Sequence, residues 1–240
     1  DKLKDLKTGM MQELLTQGIG HTEFKDSPVG RIPDGWNVCS LIDLSNSGIS
    51  NGVFNDPKRV GKGYKIINVY DMYRGFGFDT KKLGLIDIEE KEFNRNKVEY
   101  GDIFFTRSSL RLEGIAHCNI NLSSDDSLTY DGHLMRVRPD QSNIMPKYLV
   151  YYCLSDRARN FVMASAKHST MTTIGQNELS QLQILVPPLS EQKRIVDVLE
   201  SIRINVEIKN KSLMALYNLK KVLMQDLLTG KVRVNIDQKE

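Results

Sequence analysis

Three cysteines in 240 residues, Cys39, Cys118 and Cys153, lie far apart and form no C-x-x-C pair. An odd, scattered count fits reduced, buried thiols and supplies neither a disulfide framework nor metal-ligand spacing. No apolar run reaches the ~18–20 residues that a bilayer-crossing helix needs, and no secretion signal opens the chain. Neither sign of charge dominates: 33 Lys and Arg stand against 30 Asp and Glu, a net charge of +3. So small an excess permits nucleic-acid binding without arguing for it; only clustered charge would. The expected setting is cytoplasmic, with no membrane partner. The chain opens on Asp1 and is read as a fragment or a processed chain.

Familiar catalytic signatures are also missing. "GKGYK" is too short for a phosphate-cradling loop, and no Gly-rich dinucleotide or S-adenosylmethionine fingerprint stands between a strand and a helix. His21, His117, His133 and His168 have no metal-ligand spacing to one another or to cysteine. Glu89 and Lys91 have the E-x-K order of many nucleases, but no P-D pair stands a suitable distance upstream. "DIEEKEFNRNK" is therefore read as a solvated charged turn. No catalytic, metal or cofactor residue is expected.

What the chain does have is a repeat. Leu3, Leu6, Lys7, Met11, Gln12, Leu14, Leu15 and Thr16 recur in order as Leu216, Leu219, Lys220, Met224, Gln225, Leu227, Leu228 and Thr229. The second copy closes a long helix. Pro187 and Pro188 stop what precedes it, Ser190 is the expected N-cap, and Glu191 suits the positive end of the helix dipole. Ile195, Leu199, Ile202, Val206, Lys209, Leu213, Leu216, Lys220, Leu223 and Leu227 then follow steps of four and three, a coiled-coil seam. The apolar members are the expected helix-pairing residues, and Gly230 ends the helix. At 1.5 Å per residue, ~40 residues make a rod of about 60 Å.

Between the two copies the pattern is mixed. "KIINVYDMY" and "GDIFFTR" are β-rich, "HLMRVRP" alternates as a strand, "PKYLVYYCLSDRARNFVMASA" has helical spacing, and "LSQLQILVPP" is a final strand. The expected fold class is α/β (α+β) with a mixed, mainly antiparallel sheet, followed by one long coiled-coil helix. The expected divisions are 1–20, the tail of a preceding helix; 21–186, a globular domain; 187–230, the long helix; and 231–240, a tail.

Basic and hydroxyl side chains gather in three stretches. "NDPKRVGKGYK" carries Lys58, Arg59 and Lys62; "TRSSLRLEG" carries Arg107 and Arg111; "ASAKHSTMTTIGQN" carries Lys167, His168, Ser169 and Thr170. Lys and Arg suit phosphates, and Arg, Ser and Thr suit base edges, so these nine are the candidate DNA contacts. Each stretch alone reads more simply as solvated surface. His133 and Arg136 fall on a predicted strand and are read as structural. Tyr148, Tyr151 and Tyr152 could stack on bases, but their helical spacing favours core packing. Trp36 is read as a core anchor.

Several stretches in order, "IPDGWNVCSL", "GKGYKIINVYDM", "VEYGDIFFTRSS", "GHLMRVRP", "PKYLVYYCLS", "HSTMTTIGQNELSQLQILVPPLSEQKRIV" and "LKKVLMQDLLTGKVRV", resemble the specificity subunit of type I restriction–modification enzymes. The resemblance spans Ile32 to Val234. It implies a target-recognition domain and spacer helix without chemistry of its own. Such subunits carry two recognition domains on antiparallel helices, each reading half of a bipartite DNA site. Their modification subunits bind S-adenosylmethionine and methylate adenine, and a restriction subunit completes the endonuclease. This chain has one recognition domain, so it is expected to be a C-terminal half or a half-sized subunit. A homodimer through the long helix would restore the two-domain arrangement. The competing readings are a stand-alone methyltransferase or nuclease with a fused recognition domain, and a coiled-coil scaffold.

Overall fold

The computed structural model describes residues 2–54, 56–168 and 171–232. The chain divides into two compact units, Thr8–Val196, and Asp197–Glu240 with Asp1–Lys7. The expected 231–240 tail falls mostly outside the described residues.

Helix α1 (Lys2–Thr16) and the last helix close alike, as the repeat demands. Thr16 Oγ1 donates to Gln12 O at 2.7 Å, and Thr229 Oγ1 donates to Gln225 O at 2.7 Å. A left-handed glycine follows each, Gly18 at φ +69° and Gly230 at φ +70°. After α1, a ribbon of β1 (Phe24–Lys25) and β2 (Ile32–Pro33) leads to Trp36, which is fully buried as expected.

β3 (Asn37–Ser40) and β4 (Ser45–Asn51) come next. "NDPKRVGKGYK", expected as a basic loop, is instead a 3-10 turn, Pro57–Arg59, running into β5 (Val60–Ile67). Asp56 caps the turn, accepting from Lys58 N at 2.9 Å, and Pro57 presets its first φ. A bulge then sets both Val60 and Tyr64 opposite Ile86 of β6 (Gly84–Ile86). Gly63 makes the bulge feasible: its φ is +91°, and a Cβ there would lie 2.4 Å from Ile86 O. "KIINVYDMY" is a strand only to Ile67. Asn68 and Asp71 form a capping box, with Asn68 N donating to Asp71 Oδ2 at 3.0 Å, and Val69–Tyr73 turns as a 3-10 helix.

The charged "DIEEKEFNRNK" is likewise not a plain turn. It holds helix α2 (Glu90–Asn96), because Phe93 has a core to enter: its ring is buried and stacks on Tyr64 at 3.8 Å. β7 (Ile103–Thr106), β8 (Ser108–Ser109), a 3-10 turn (Leu112–Gly114), β9 (Cys118–Ile120), β10 (Leu128–Tyr130) and β11 (Leu134–Pro139) follow. The main sheet runs β4-β11-β7-β9, all antiparallel; a second runs β10-β5-β6, with β10 and β5 parallel. Pairing is mainly antiparallel, as expected, but the strands are spread over several small sheets. Ile67, Met72, Phe104, Leu128, Tyr130 and Leu134 pack as one core cluster. Val53, Ile66, Ile86, Ile88 and Phe93 pack as another.

"PKYLVYYCLSDRARNFVMASA" breaks into α3 (Pro146–Cys153) and α4 (Asp156–Ser165). Ser155 causes the break. Its hydroxyl donates to Tyr152 O at 2.6 Å and caps the new helix at Ala158 N. Tyr148, Tyr151 and Tyr152 are buried, which rules out their stacking on bases. Tyr148 and Tyr152 donate to Leu185 O (2.8 Å) and Gln183 O (3.1 Å). Burial pushes both phenols up, that of Tyr152 to about 12.

β12 (Lys167–His168), β13 (Thr172–Thr173), α5 (Gln176–Ser180) and β14 (Gln183–Val186) complete the domain, β14 pairing with β3. Helix α6 (Leu189–Leu228) has 40 residues, about 60 Å. It begins at Leu189, so Ser190 lies inside its first turn instead of capping it. The Glu191 and Gln192 amides donate to Pro188 O. Along the seam, Ile195 and Leu199 are buried, Ile202 and Val206 half-buried, and Leu213, Leu216, Leu223 and Leu227 exposed. Every residue from Glu207 to Gln225 is exposed. Among the described residues no helix is long and apolar enough to cross a membrane.

Candidate nucleic-acid interface

The three basic stretches do not form one patch. Lys58 and Arg59 lie in the 3-10 turn that leads into β5, and Lys62 lies on β5 itself, in the β10-β5-β6 sheet. Arg59 is tied to that sheet: Nε donates to Asp87 O at 2.9 Å, and the guanidinium pairs with Glu92, which raises its pKa further. Lys62 pairs with Asp87 at 2.9 Å. Only Lys58 has no ion pair among the described residues. With two of the three cations already matched by carboxylates, this group offers little net charge to a phosphate.

The other two stretches meet in the sheet β12-β13-β8. Thr172 and Thr173 of β13 pair with Ser109 and Ser108 of β8 on one side, and with His168 and Lys167 of β12 on the other. Residues more than fifty positions apart thus share one small hydroxyl-lined sheet. Lys167 reaches Glu178 at 2.9 Å, and its ammonium holds the Glu178 carboxyl below the usual range. Arg107 is exposed; its amide donates to His133 O and its carbonyl accepts from Ile174 N. Arg111 is exposed beyond β8. Ser169, Thr170 and the side chain of His168 lie outside the described residues.

An open cleft of about 980 Å³ borders this sheet, lined by Val69, Tyr73, Ser108, Ser109, Leu110, Arg111, Glu113, Gly114 and Met171. Tyr73 is 53% exposed, Met171 40% and Leu110 85%. The Tyr73 ring is braced from behind by His117, stacked at 4.6 Å and 15°. Burial lowers the His117 pKa, and its Nε2 lies 3.1 Å from Met72 O. A neutral imidazole therefore backs the tyrosine near neutral pH. Neither Tyr73 nor Leu110 is visible as a site residue in the sequence, where each reads as one more apolar position; only the fold shows that they face outward together.

Next to Arg107 sits a polar cluster also missed from sequence. His133 lies in the turn before β11, not on the strand, and its side chain is 67% exposed while Nδ1 sits 2.7 Å from buried Asp131. Arg136, by contrast, is structural as expected: buried, donating to Lys97 O at 2.7 Å. Gln176 donates to Asn51 Oδ1 at 2.6 Å, and the Asn51 amide donates to Gly132 O at 3.1 Å. Asn51, Gln176 and His133 are held in place by these bonds, and Arg, Asn and Gln are side-chain types that can contact base edges and phosphates. Among the described residues, no cluster of three or more His, Cys, Asp or Glu could hold a metal ion.

Comparison with known proteins finds a match to the family described as "Type I restriction modification DNA specificity domain" over residues 33–217. A putative type I restriction enzyme MjaX specificity subunit of Methanocaldococcus jannaschii is 29% identical over 90% of this chain and 51% of its own. The type I restriction enzyme EcoKI specificity subunit of Escherichia coli is 30% identical over 64% of this chain and 33% of its own. The crystal structure of the HsdS subunit from Thermoanaerobacter tengcongensis superposes with a TM-score of 0.62 at 17% identity, over 94% of this chain and 50% of that one. The chain thus matches between about a third and a half of the length of these relatives.

Proposed function

Because this chain belongs to the type I restriction modification DNA specificity domain family, we propose that it reads one half of a bipartite DNA target and docks methyltransferase and restriction subunits, without catalysing a reaction itself. The observation that carries the DNA-reading face is the β12-β13-β8 sheet. It brings Lys167 together with the serines of β8 and the threonines of β13, next to Arg107 and beside the Tyr73–Arg111 cleft. The interface is centred there, with His133, Asn51 and Gln176 at one edge. Lys58 contributes a phosphate contact at most, and Arg59 and Lys62 serve the sheet that they bridge.

S-adenosylmethionine belongs to the modification subunit, and the setting is the cytoplasm. The bare apolar stripe of α6, Leu213, Leu216, Leu223 and Leu227, supports pairing with a second helix, from another copy or from a companion subunit.

A salt titration of duplex binding tests the reading. Each phosphate contact contributes about −0.9 to the slope of log K against log salt. Arg107→Ala with Arg111→Ala should flatten that slope by about 1–2 and leave the fold intact, since both side chains are exposed. Methylation of DNA by the purified chain with S-adenosylmethionine, no companion added, would overturn the non-catalytic reading.

A further inference from the structure

Leu110 is the most exposed large apolar side chain of the recognition domain, and its exposure is built in. It follows β8 directly. Arg111 N donates back to Ser109 Oγ at 3.2 Å, which fixes the turn that thrusts Leu110 outward. Facing it across the cleft, Tyr73 is stacked on His117, and its hydroxyl donates to Gly114 O at 3.5 Å. The same carbonyl accepts from Thr106 Oγ1 at 3.1 Å. Met171 adds a third apolar wall. The braced Tyr73 ring loses little entropy when a guest enters.

The charges decide what kind of guest fits. Arg111 on the rim attracts DNA, but Glu113 also lines the cleft and would repel a phosphate seated inside it. An A·T pair offers a donor instead: the adenine N6 amine, on the same groove edge as the thymine C5-methyl, can donate to a glutamate. Among base edges in the major groove, the one apolar group is the thymine C5-methyl.

We propose that the Tyr73–Leu110–Met171 cleft is a specificity subsite for the C5-methyl group of a thymine in the half-site. The proposal rests on the DNA-reading function proposed above. Arg111 then anchors the neighbouring phosphate or guanine, and Leu110 makes the discriminating contact.

The test uses the full chain and two random duplex pools, one containing thymidine and one with deoxyuridine throughout, which lacks only that methyl. The thymidine pool should yield an enriched site with one thymine whose replacement by uracil weakens binding about three- to fivefold, the worth of one buried methyl. Leu110→Ala should still bind the enriched site but lose the thymine-over-uracil preference; an 85% exposed side chain can be cut back without unfolding. Equal affinity for thymine and uracil at every position of the enriched site overturns the subsite while leaving DNA reading intact. So does a Leu110→Ala variant that keeps the preference. Failure of both pools to enrich any sequence overturns the DNA-reading function and the subsite with it.

Discussion

A single buried carboxylate shows how much one residue can hold. Glu191 accepts from Trp36 Nε1 at 2.9 Å and from Ile19 N at 3.1 Å, and its Oε1 sits 2.7 Å from His21 Nε2. Gly18 closes over this knot; a Cβ there would lie 2.5 Å from Glu191 Oε1 and 2.7 Å from the Trp36 ring. Removing the carboxylate leaves buried donors unpaired, so Glu191→Ala should cost about 3 kcal/mol of unfolding free energy, read from urea midpoints. A loss under about 1 kcal/mol would show that water can take over the role. The sequence supports only part of this. Trp36 reads correctly as a core anchor, and Glu191 reads as a dipole partner in a first helical turn. That one carboxylate binds residues 19, 21 and 36 is invisible in sequence, because nothing local links positions so far apart.

Elements were legible where their pattern was periodic and opaque where a side chain decided the backbone. The long helix, the β11 and β14 strands and the mainly antiparallel pairing follow from hydrophobic spacing. The early start of β5, the 3-10 turn at Val69–Tyr73 and the break at Ser155 follow from a bulge glycine, a capping box and a hydroxyl cap, which override local propensity. The segment after Tyr73 is a further case. Asn119 of β9 accepts from Gly77 N at 2.8 Å and donates to Gly75 O at 2.9 Å and Met72 O at 3.2 Å. This one amide shapes the "RGFG" loop that follows the cleft tyrosine. Asn119→Ala should release the loop, and amide exchange at Gly77 should speed up at least about tenfold, as expected for a loss of about 1.4 kcal/mol locally. Unchanged exchange at Gly77 would mean that the loop holds itself. The site shared this opacity: two of the three basic stretches do converge, but which two depends on strand pairing between β8, β13 and β12, and short hydroxyl-rich strands carry no periodic signal.

At the scale of the whole molecule, the helix that sequence periodicity reveals most clearly is bare over much of its second half. From Glu207 to Gln225 every side chain is exposed, apolar seam included. Pairing of two copies through this stripe, one of the two partners proposed above, predicts that replacing Leu213, Leu216, Leu223 and Leu227 together with Gln abolishes the dimer in sedimentation experiments and leaves the thermal transition of Thr8–Val196 in place. Association that survives these changes would locate the contact elsewhere. The ends of α1 and α6 match, each with a threonine bonded back to a glutamine and then a left-handed glycine. The Glu191 knot joins the first residues after α1 to the first turn of α6. The domain's two attachment points are thereby held by one side chain, remote in sequence from the face around Leu110. Exchange of the chain between Trp36 and Glu191 would therefore replace the whole face around Leu110, the surface proposed to read DNA, while the bonds that tie the two helix ends stay as they are.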